Sequence, residues 1–444
     1  MIYIMEEKNK YGTHYIKTYN SDDNNIELFK EIINIHSASI DLDNKTYRYL
    51  YDSNMNMISS AFNFLNIELE NSSINNIFSA INALKLLYSF LELYSLDLQT
   101  LTKRDANNLL TFLEGRSMIG TLYTLDLKTQ RSDSTINSYL SVYRSYISFL
   151  GYSDSILLNK SNYQRTITVP DSENKIKVDA YDVNRKNYKS DFTVPQYISL
   201  EDFRKLLHVV REEYTLREEC MIRLMYECGL RIGEVLGLTN EDIIEKMNIT
   251  YLFLRNRYSD SPDQFAKNCM NINFPDLYKS SKYKTKSVGY QPVAISDNLL
   301  EKLNDYINIY HSNNKTKFKE NYEKFNIADS VSSKDTNFYL FINSLGKPLS
   351  ANLWNKYLRE IFKKAGLEVD VDHRENNLNH RLRHGFAMFM VKYKHVHILE
   401  LKELLRHRSL ASVLIYYRPT DEDIIDLRTQ LVESIYEVIP ELSL

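Results

Sequence analysis

Apolar positions recur at helical spacing through the first third of the chain and then give way to shorter, mixed runs. Ile77, Ile81, Leu84, Tyr88 and Leu91 follow one another at steps of four and three residues, with Ala80 and Leu87 alongside. That is the stripe a helix buries against a core. Thr102-Lys103-Arg104-Asp105 predicts a helix start ahead of residues 106–113, and Ser134 opens another helix that runs through Tyr146 to near Gly151. Residues 46–155 therefore predict a helical domain. Before it, Ile2-Tyr3-Ile4 and Tyr15-Ile16 flank Tyr11-Gly12-Thr13, which suggests an N-terminal appendage over 1–45: a small hairpin, then a short helix around 26–35. Residues 156–195 carry scattered charges, Pro170 and Pro195, and no sustained period, so they predict a linker with the domain boundary inside it.

The second half alternates helices with one small sheet. Ser199 ahead of Glu201 and Asp202 predicts a capped helix start with an acidic first turn. Residues 221–226 predict a helix that Gly229 stops. The β-branched and aromatic runs at 249–254 and 290–295 predict strands, and 256–280 carries no assignable element. Residues 338–343, a turn over 344–348 and a helix through Trp354 to Ala365 follow. The fold class expected is mostly α with a small β-sheet: a helical domain, then a mixed α/β domain over 196–419. In the tail, 420–444, the residues Ile424, Ile425, Leu427, Leu431, Val432 and Ile435 form an apolar stripe compatible with a helix.

Composition narrows the classes. Of 444 residues, 43% are hydrophobic and 25% charged, which fits a globular chain rather than a disordered one. The net charge of −3 argues against nucleic acid only until it is localised. Residues 355–419 hold thirteen Lys and Arg against seven Asp and Glu, while the tail from Thr420 has seven acidic residues against the lone Arg428. Phosphate binding depends on where the basic groups sit, not on their sum. Cys220, Cys228 and Cys269 lack the spacing of a zinc site or a disulfide framework and read as reduced structural thiols. The acidic N-terminus does not suit a signal peptide, and no run is expected to span a membrane. A cytoplasmic protein is expected.

The chemistry concentrates in four places: Gly229-Leu230-Arg231-Ile232-Gly233-Glu234, His380-Arg381-Leu382-Arg383-His384, Leu404-Leu405-Arg406-His407, and Tyr416-Tyr417. Arginine forks neutralise and orient phosphate oxygens, histidines move protons near neutral pH, and a phenol can act as a covalent nucleophile. His380 and Arg383, three apart, share one helix face. A solvated face would explain that pair alone, and a surface pair with Glu234 would explain Arg231 alone. The order Arg, His-x-x-Arg, His, Tyr is what makes the set specific, and it resembles the tyrosine recombinase (phage integrase) family.

The resemblance implies a helical core DNA-binding domain over 46–155 followed by a catalytic domain. It implies that Arg231, Arg383 and His407 stabilise the scissile phosphate, that Tyr416 attacks it, and that His380 accepts the phenolic proton. Glu234 and His384 would stand behind these groups. Tyr417 competes with Tyr416, since adjacent helical positions point about 100° apart. Lys282-Tyr283-Lys284 resembles the family's hairpin lysine; Lys284 would protonate the departing 5′ oxygen, with Lys286 as the alternative on the same strand face. The chain departs from the family at Arg406, where a glycine is usual. The implied product is a 3′-phosphotyrosyl link, formed with no metal and no cofactor. Implied partners are double-stranded DNA at specific sites, further copies of the chain in a tetrameric synapse, and accessory DNA-bending or directionality proteins. A type IB topoisomerase and a non-catalytic DNA-binding protein on the same fold are the alternatives.

Overall fold

The computed structural model describes residues 2–255 apart from 10–11, 21–26, 43–44, 71, 73, 120–122, 169–174 and 186–193; residues 290–311; residues 339–420 apart from 347, 370–376, 408 and 419; and tail positions 425, 428, 431, 434, 435 and 437–439. The chain divides into two compact units, Met1–Val169 with Glu173–Lys189, and Pro170–Ser172 with Ser190–Leu444.

The first unit opens with strands β1 (Ile2–Asn9) and β2 (Gly12–Asn20), an antiparallel hairpin in register from Ile2↔Tyr19 to Asn9↔Gly12. The next segment, expected as a short helix around 26–35, is strand β3 (Glu27–Ile33), paired antiparallel with β2. Its apolar residues fit either period; the open hydrogen-bonding edge of β2 and the β-branched Ile32-Ile33 decide for the strand. Strands β4 (His36–Leu42) and β5 (Lys45–Tyr51) form a second hairpin. Nor is the N-terminal segment an appendage. β1 pairs in parallel with a strand formed more than a hundred residues later, and Ile4, Tyr15 and Ile33 are buried in the same core as the helices.

Those helices are α1 (Ser59–Asn63), α2 (Ile74–Tyr94), α3 (Lys103–Glu114) and α4 (Asp133–Phe149). The stripe read from the sequence is the buried face of α2: Ile77, Ala80, Ile81, Leu84, Leu87 and Leu91 all lie in the core. Its segment Asn76–Tyr94 is long and apolar enough by composition to cross a membrane, against the expectation that no run was; 56% of it is buried, as a core helix requires. α3 starts at the predicted place because Thr102 and Asp105 cap each other reciprocally. Strands β6 (Met118–Ile119) and β7 (Tyr123–Asp126) interrupt the expected all-helical run and complete a sheet ordered β3-β2-β1-β7-β6. Where a linker was expected, β8 (Lys160–Thr168) and β9 (Lys175–Tyr181) form an antiparallel ribbon within this unit.

The second unit is mostly helical around a three-stranded sheet. Helix α5 (Leu200–Glu213) starts at Ser199, whose side chain accepts from the Asp202 amide. Helix α6 (Leu216–Glu227) is buried on nearly all sides and ends ahead of Gly229 (φ 58°), after which α7 (Ile232–Leu236) turns away. Strands β10 (Ile243–Lys246), β11 (Ile249–Arg255) and β12 (Tyr290–Ala294) pair antiparallel in that order. Then come α8 (Asp297–Tyr306), α9 (Ala351–Lys364), α10 (Leu378–Lys394), α11 (Ile398–Leu405) and α12 (Ala411–Leu414), the last running into a 3-10 turn, Ile415–Tyr417. Trp354 on α9, buried completely, donates its indole N–H to Asn379 Oδ1 at 2.7 Å, and Asn379 Nδ2 donates to Asn355 Oδ1 at 2.7 Å. These two bonds fasten the first turn of α10, the helix that carries the His-x-x-Arg motif. The chain is mostly α with small sheets, as the hydrophobic pattern predicted.

Candidate active site

Arg231 is the residue that caps α7, in extended conformation just after the Gly229 turn. Its backbone N–H donates to Glu234 Oε2 at 2.7 Å and its Nη1 to Glu234 Oε1 at 2.8 Å. The surface-pair alternative for Arg231 is thus half realised: the pair with Glu234 exists, but Glu234 is buried, while the arginine side chain stays 30% exposed.

On α10, Arg383 and His384 lie one turn after His380, three and four residues along. Arg383 is fully buried. Its Nη1 donates to the Gly229 carbonyl and its Nη2 to the Leu405 carbonyl, and its guanidinium lies 3.8 Å from Glu234 Oε2. One side chain therefore ties the α6–α7 turn to the end of α11. The exposed His380 ring, on the first turn, sits 5.8 Å from that of His384.

Helix α11 ends in a Schellman-type turn: the Arg406 amide donates to Glu403 O and the His407 amide to Lys402 O, each at 3.0 Å. Arg406 occupies the left-handed position (φ 54°), where glycine is the ordinary choice. This is the one departure from the family pattern noted above, and its side chain folds inward. Arg406 Nη2 donates to the Gly229 carbonyl at 2.9 Å and to Glu234 Oε2 at 3.0 Å.

Tyr416 follows in the 3-10 turn, 2% exposed, with its hydroxyl 2.7 Å from His384 Nδ1. The ring at hydrogen-bonding distance from the phenol is thus His384, which the sequence placed behind the reacting groups, and not His380, to which the proton was assigned. Tyr417 points elsewhere and donates to the Val396 carbonyl at 2.5 Å.

The charges couple these parts. Burial alone would raise the Glu234 carboxyl, but Arg406, Arg383 and Arg231 together hold it down at about 2. Burial pushes the Arg383 guanidinium down to about 9, against the pull of Glu234, so it stays charged at neutral pH. Burial and then the charges around them lower both imidazoles to about 3: His380, Arg383 and His407 act on His384, and Arg383, Arg231 and Arg406 on His407. Both rings are neutral at pH 7. Burial raises the Tyr416 phenol to about 12, and Arg383 and Arg231 oppose the rise. Three guanidiniums around one carboxylate leave an excess of positive charge beside a phenol and two neutral imidazoles, which suits an anionic reacting group.

Arg231, Arg383, His384, His407 and Tyr416, with Glu234 at their centre and His380 alongside, are thus brought together from four places: the start of α7, α10, the end of α11 and the last 3-10 turn. Lys282, Lys284 and Lys286 lie outside the described residues. The sequence missed the inward course of Arg406 and the contact of His384 with Tyr416. The signal for the second was present: His384 lies four residues after His380 and so shares its helix face.

Comparison with known proteins places the chain in a family. The family model of the phage integrases matches residues 196–423, so the chain belongs to the phage integrase family and is a tyrosine-type site-specific DNA recombinase. It is similar to transposase A from transposon Tn554 of Staphylococcus aureus, 26% identical over 369 residues, which cover 80% of this chain and 86% of the transposase. It is also similar to the tyrosine recombinase XerH of Campylobacter jejuni, 22% identical over 273 residues, covering 60% of this chain and 61% of that one. Among solved structures, XerH bound to palindromic difH substrate in a post-cleavage complex matches with a TM-score of 0.49 at 16% identity, covering 83% of this chain and 82% of that one.

Proposed function

We propose that this recombinase cuts and rejoins DNA through a 3′-phosphotyrosyl link on Tyr416, in the integration, excision or transposition of a mobile element. The observation that carries the reading is the Tyr416 hydroxyl, 2.7 Å from a neutral imidazole and in the field of two arginines. The phenol donates to Nδ1 of His384, whose own proton then sits on Nε2. As Tyr416 Oη bonds to phosphorus, that hydrogen bond passes the proton to His384. An anionic phosphate beside the ring raises its pKa from the value set by the arginines, so His384 becomes the stronger base once DNA is in place. Arg231, Arg383 and His407 stabilise the charge on the non-bridging oxygens, and His380 shares the phosphate face of α10. The bond to the 5′ oxygen breaks, and Lys284 supplies the proton that makes it a hydroxyl. A second 5′ hydroxyl reverses the step on another strand, so rejoining needs no external energy source.

The similarity to a transposon's transposase supports the mobile-element role. Ile425, Leu431, Ile435 and Val438 in the tail are all well exposed within a single copy, which supports a tail that docks on a neighbouring copy in a tetrameric synapse. The reading includes double-stranded DNA as partner, accessory DNA-bending or directionality proteins, and a cytoplasmic, nucleoid-bound location. The test is a nicked duplex carrying the end of the element that encodes the protein. A covalent protein–DNA adduct should form, persist in EDTA, and vanish in Tyr416→Phe but not in Tyr417→Phe. An adduct retained by Tyr416→Phe and lost by Tyr417→Phe would move the nucleophile one residue along.

A further inference from the structure

We propose that Arg406 is a positioning residue for Arg231: by holding Glu234 and the Gly229 carbonyl, it leaves the outer edge of the Arg231 guanidinium free for the scissile phosphate. The proposal rests on the function just described and adds a residue to it. Arg406 takes a left-handed backbone at a helix end where its β-carbon gains nothing, so the side chain has to justify the residue. That side chain is 5% exposed and runs into the site rather than out to solvent. It reaches two groups that also hold the other arginines. The Gly229 carbonyl takes donors from both Arg383 and Arg406, and Glu234 Oε2 takes donors from the Arg231 backbone and Arg406.

The consequence falls on Arg231. Glu234 Oε2 is occupied, so Arg231 gives the carboxylate one N–H only, from Nη1 to Oε1. Among the described residues its Nε and Nη2 have no partner, and the side chain is 30% exposed. Without Arg406, Glu234 Oε2 would be open to a second guanidinium N–H, and the planar fork of Arg231 matches a carboxylate bidentately. Arg231 would then turn its reactive edge onto Glu234 instead of onto a phosphate. The charged and titratable groups facing Glu234 are Arg231 from its own turn, Arg383 from α10 and Arg406 from the end of α11, and Arg406 is the strongest of the three in keeping it ionised.

The test compares the full-length protein with Arg406→Gly, which relieves the left-handed backbone, and with Arg406→Lys. The probe is the nicked element-end duplex, with adduct formation followed from about pH 4 to pH 8. Arg406→Gly should remain folded and bind the duplex within a few-fold. It should cleave up to about 100-fold more slowly, the cost of misplacing a reacting group by about an ångström, and its acid limb should move to higher pH. Arg406→Lys, which keeps a charge on Glu234, should recover most of the limb and part of the rate. In a Glu234→Gln background, Arg406→Gly should move the limb less, because only the effect of Arg406 on His407 remains. An unchanged rate, or a fall that tracks only the folded fraction with the limb unmoved, would overturn the proposal. Absence of any tyrosyl adduct in the wild type would instead overturn the function on which it rests.

Discussion

Each unit of this protein has a buried arginine fastened to two backbone carbonyls, and the two are held in nearly the same way. Arg144 on α4 donates from Nε to the Leu157 carbonyl at 3.0 Å and from Nη2 to the Val183 carbonyl, with its guanidinium 4.0 Å from the Tyr181 ring. Arg383 on α10 donates to two carbonyls as well, from the Gly229 turn and from the end of α11. The difference lies in what surrounds them. Around Arg383 stand a buried carboxylate, two further arginines, two lowered imidazoles and the Tyr416 phenol. A buried guanidinium fastened by carbonyls and stacked on a ring holds segments of chain together. The same guanidinium beside groups that can change charge also sets their protonation.

The largest effect expected from this difference is on cleavage. Arg231→Ala and Arg383→Ala should each slow adduct formation by about 10²–10³, the usual cost of losing one charge-stabilising donor, while leaving binding of the element-end duplex within a few-fold. Equal losses of binding and cleavage would make both residues ordinary phosphate anchors. On stability the two buried arginines should behave alike and Arg231 differently. Arg144→Ala and Arg383→Ala should each cost about 2–4 kcal/mol in urea unfolding, because each leaves at least one buried carbonyl without its charged donor. Arg231→Ala, at a part-exposed side chain, should cost less than about 1 kcal/mol. If Arg144→Ala slowed cleavage as strongly as Arg383→Ala after correction for the folded fraction, the contrast between the units would fail.

Acid should separate them further. The folded values of His384 and His407, about 3, lie below the ordinary 6.5. Their contribution to stability is therefore complete above about pH 6.5 and is lost as pH falls toward 3, at up to about 1.4 kcal/mol per pH unit for each ring. Glu234, held at about 2 against an ordinary 4.5, adds its own loss only below about pH 4.5. Hydrogen exchange should thus show α10 loosening between about pH 6.5 and 4.5 while α4 stays protected. Parallel loosening of both helices would contradict the assignment. The smallest combined effect belongs to Tyr417→Phe, which removes one exposed hydrogen bond to the Val396 carbonyl and should cost about 0.5 kcal/mol with cleavage intact.

What was legible in the sequence was what local spacing dictates. The stripe through Ile77 and Leu84 predicted the buried face of α2, Thr102 and Ser199 marked helix starts, and the β-branched runs marked β11 and β12. The ordered set Arg231, His380, Arg383, His407 and Tyr416 was visible for the same reason, since each residue sits in a short motif with its own period. Tertiary structure decided whatever depended on partners far along the chain. The segment at 27–33 is a strand only because β2 offers it an edge, and the N-terminal residues join the helical core only because β1 meets β7. Tyr416 bonds to His384, thirty-two positions away, because α10 and the last turn pack together. Arg406, written where a glycine would serve the backbone, becomes part of the site only through the fold. Gly229 and Glu234, the groups it holds, lie more than 170 positions earlier, too far for any local period to pair them.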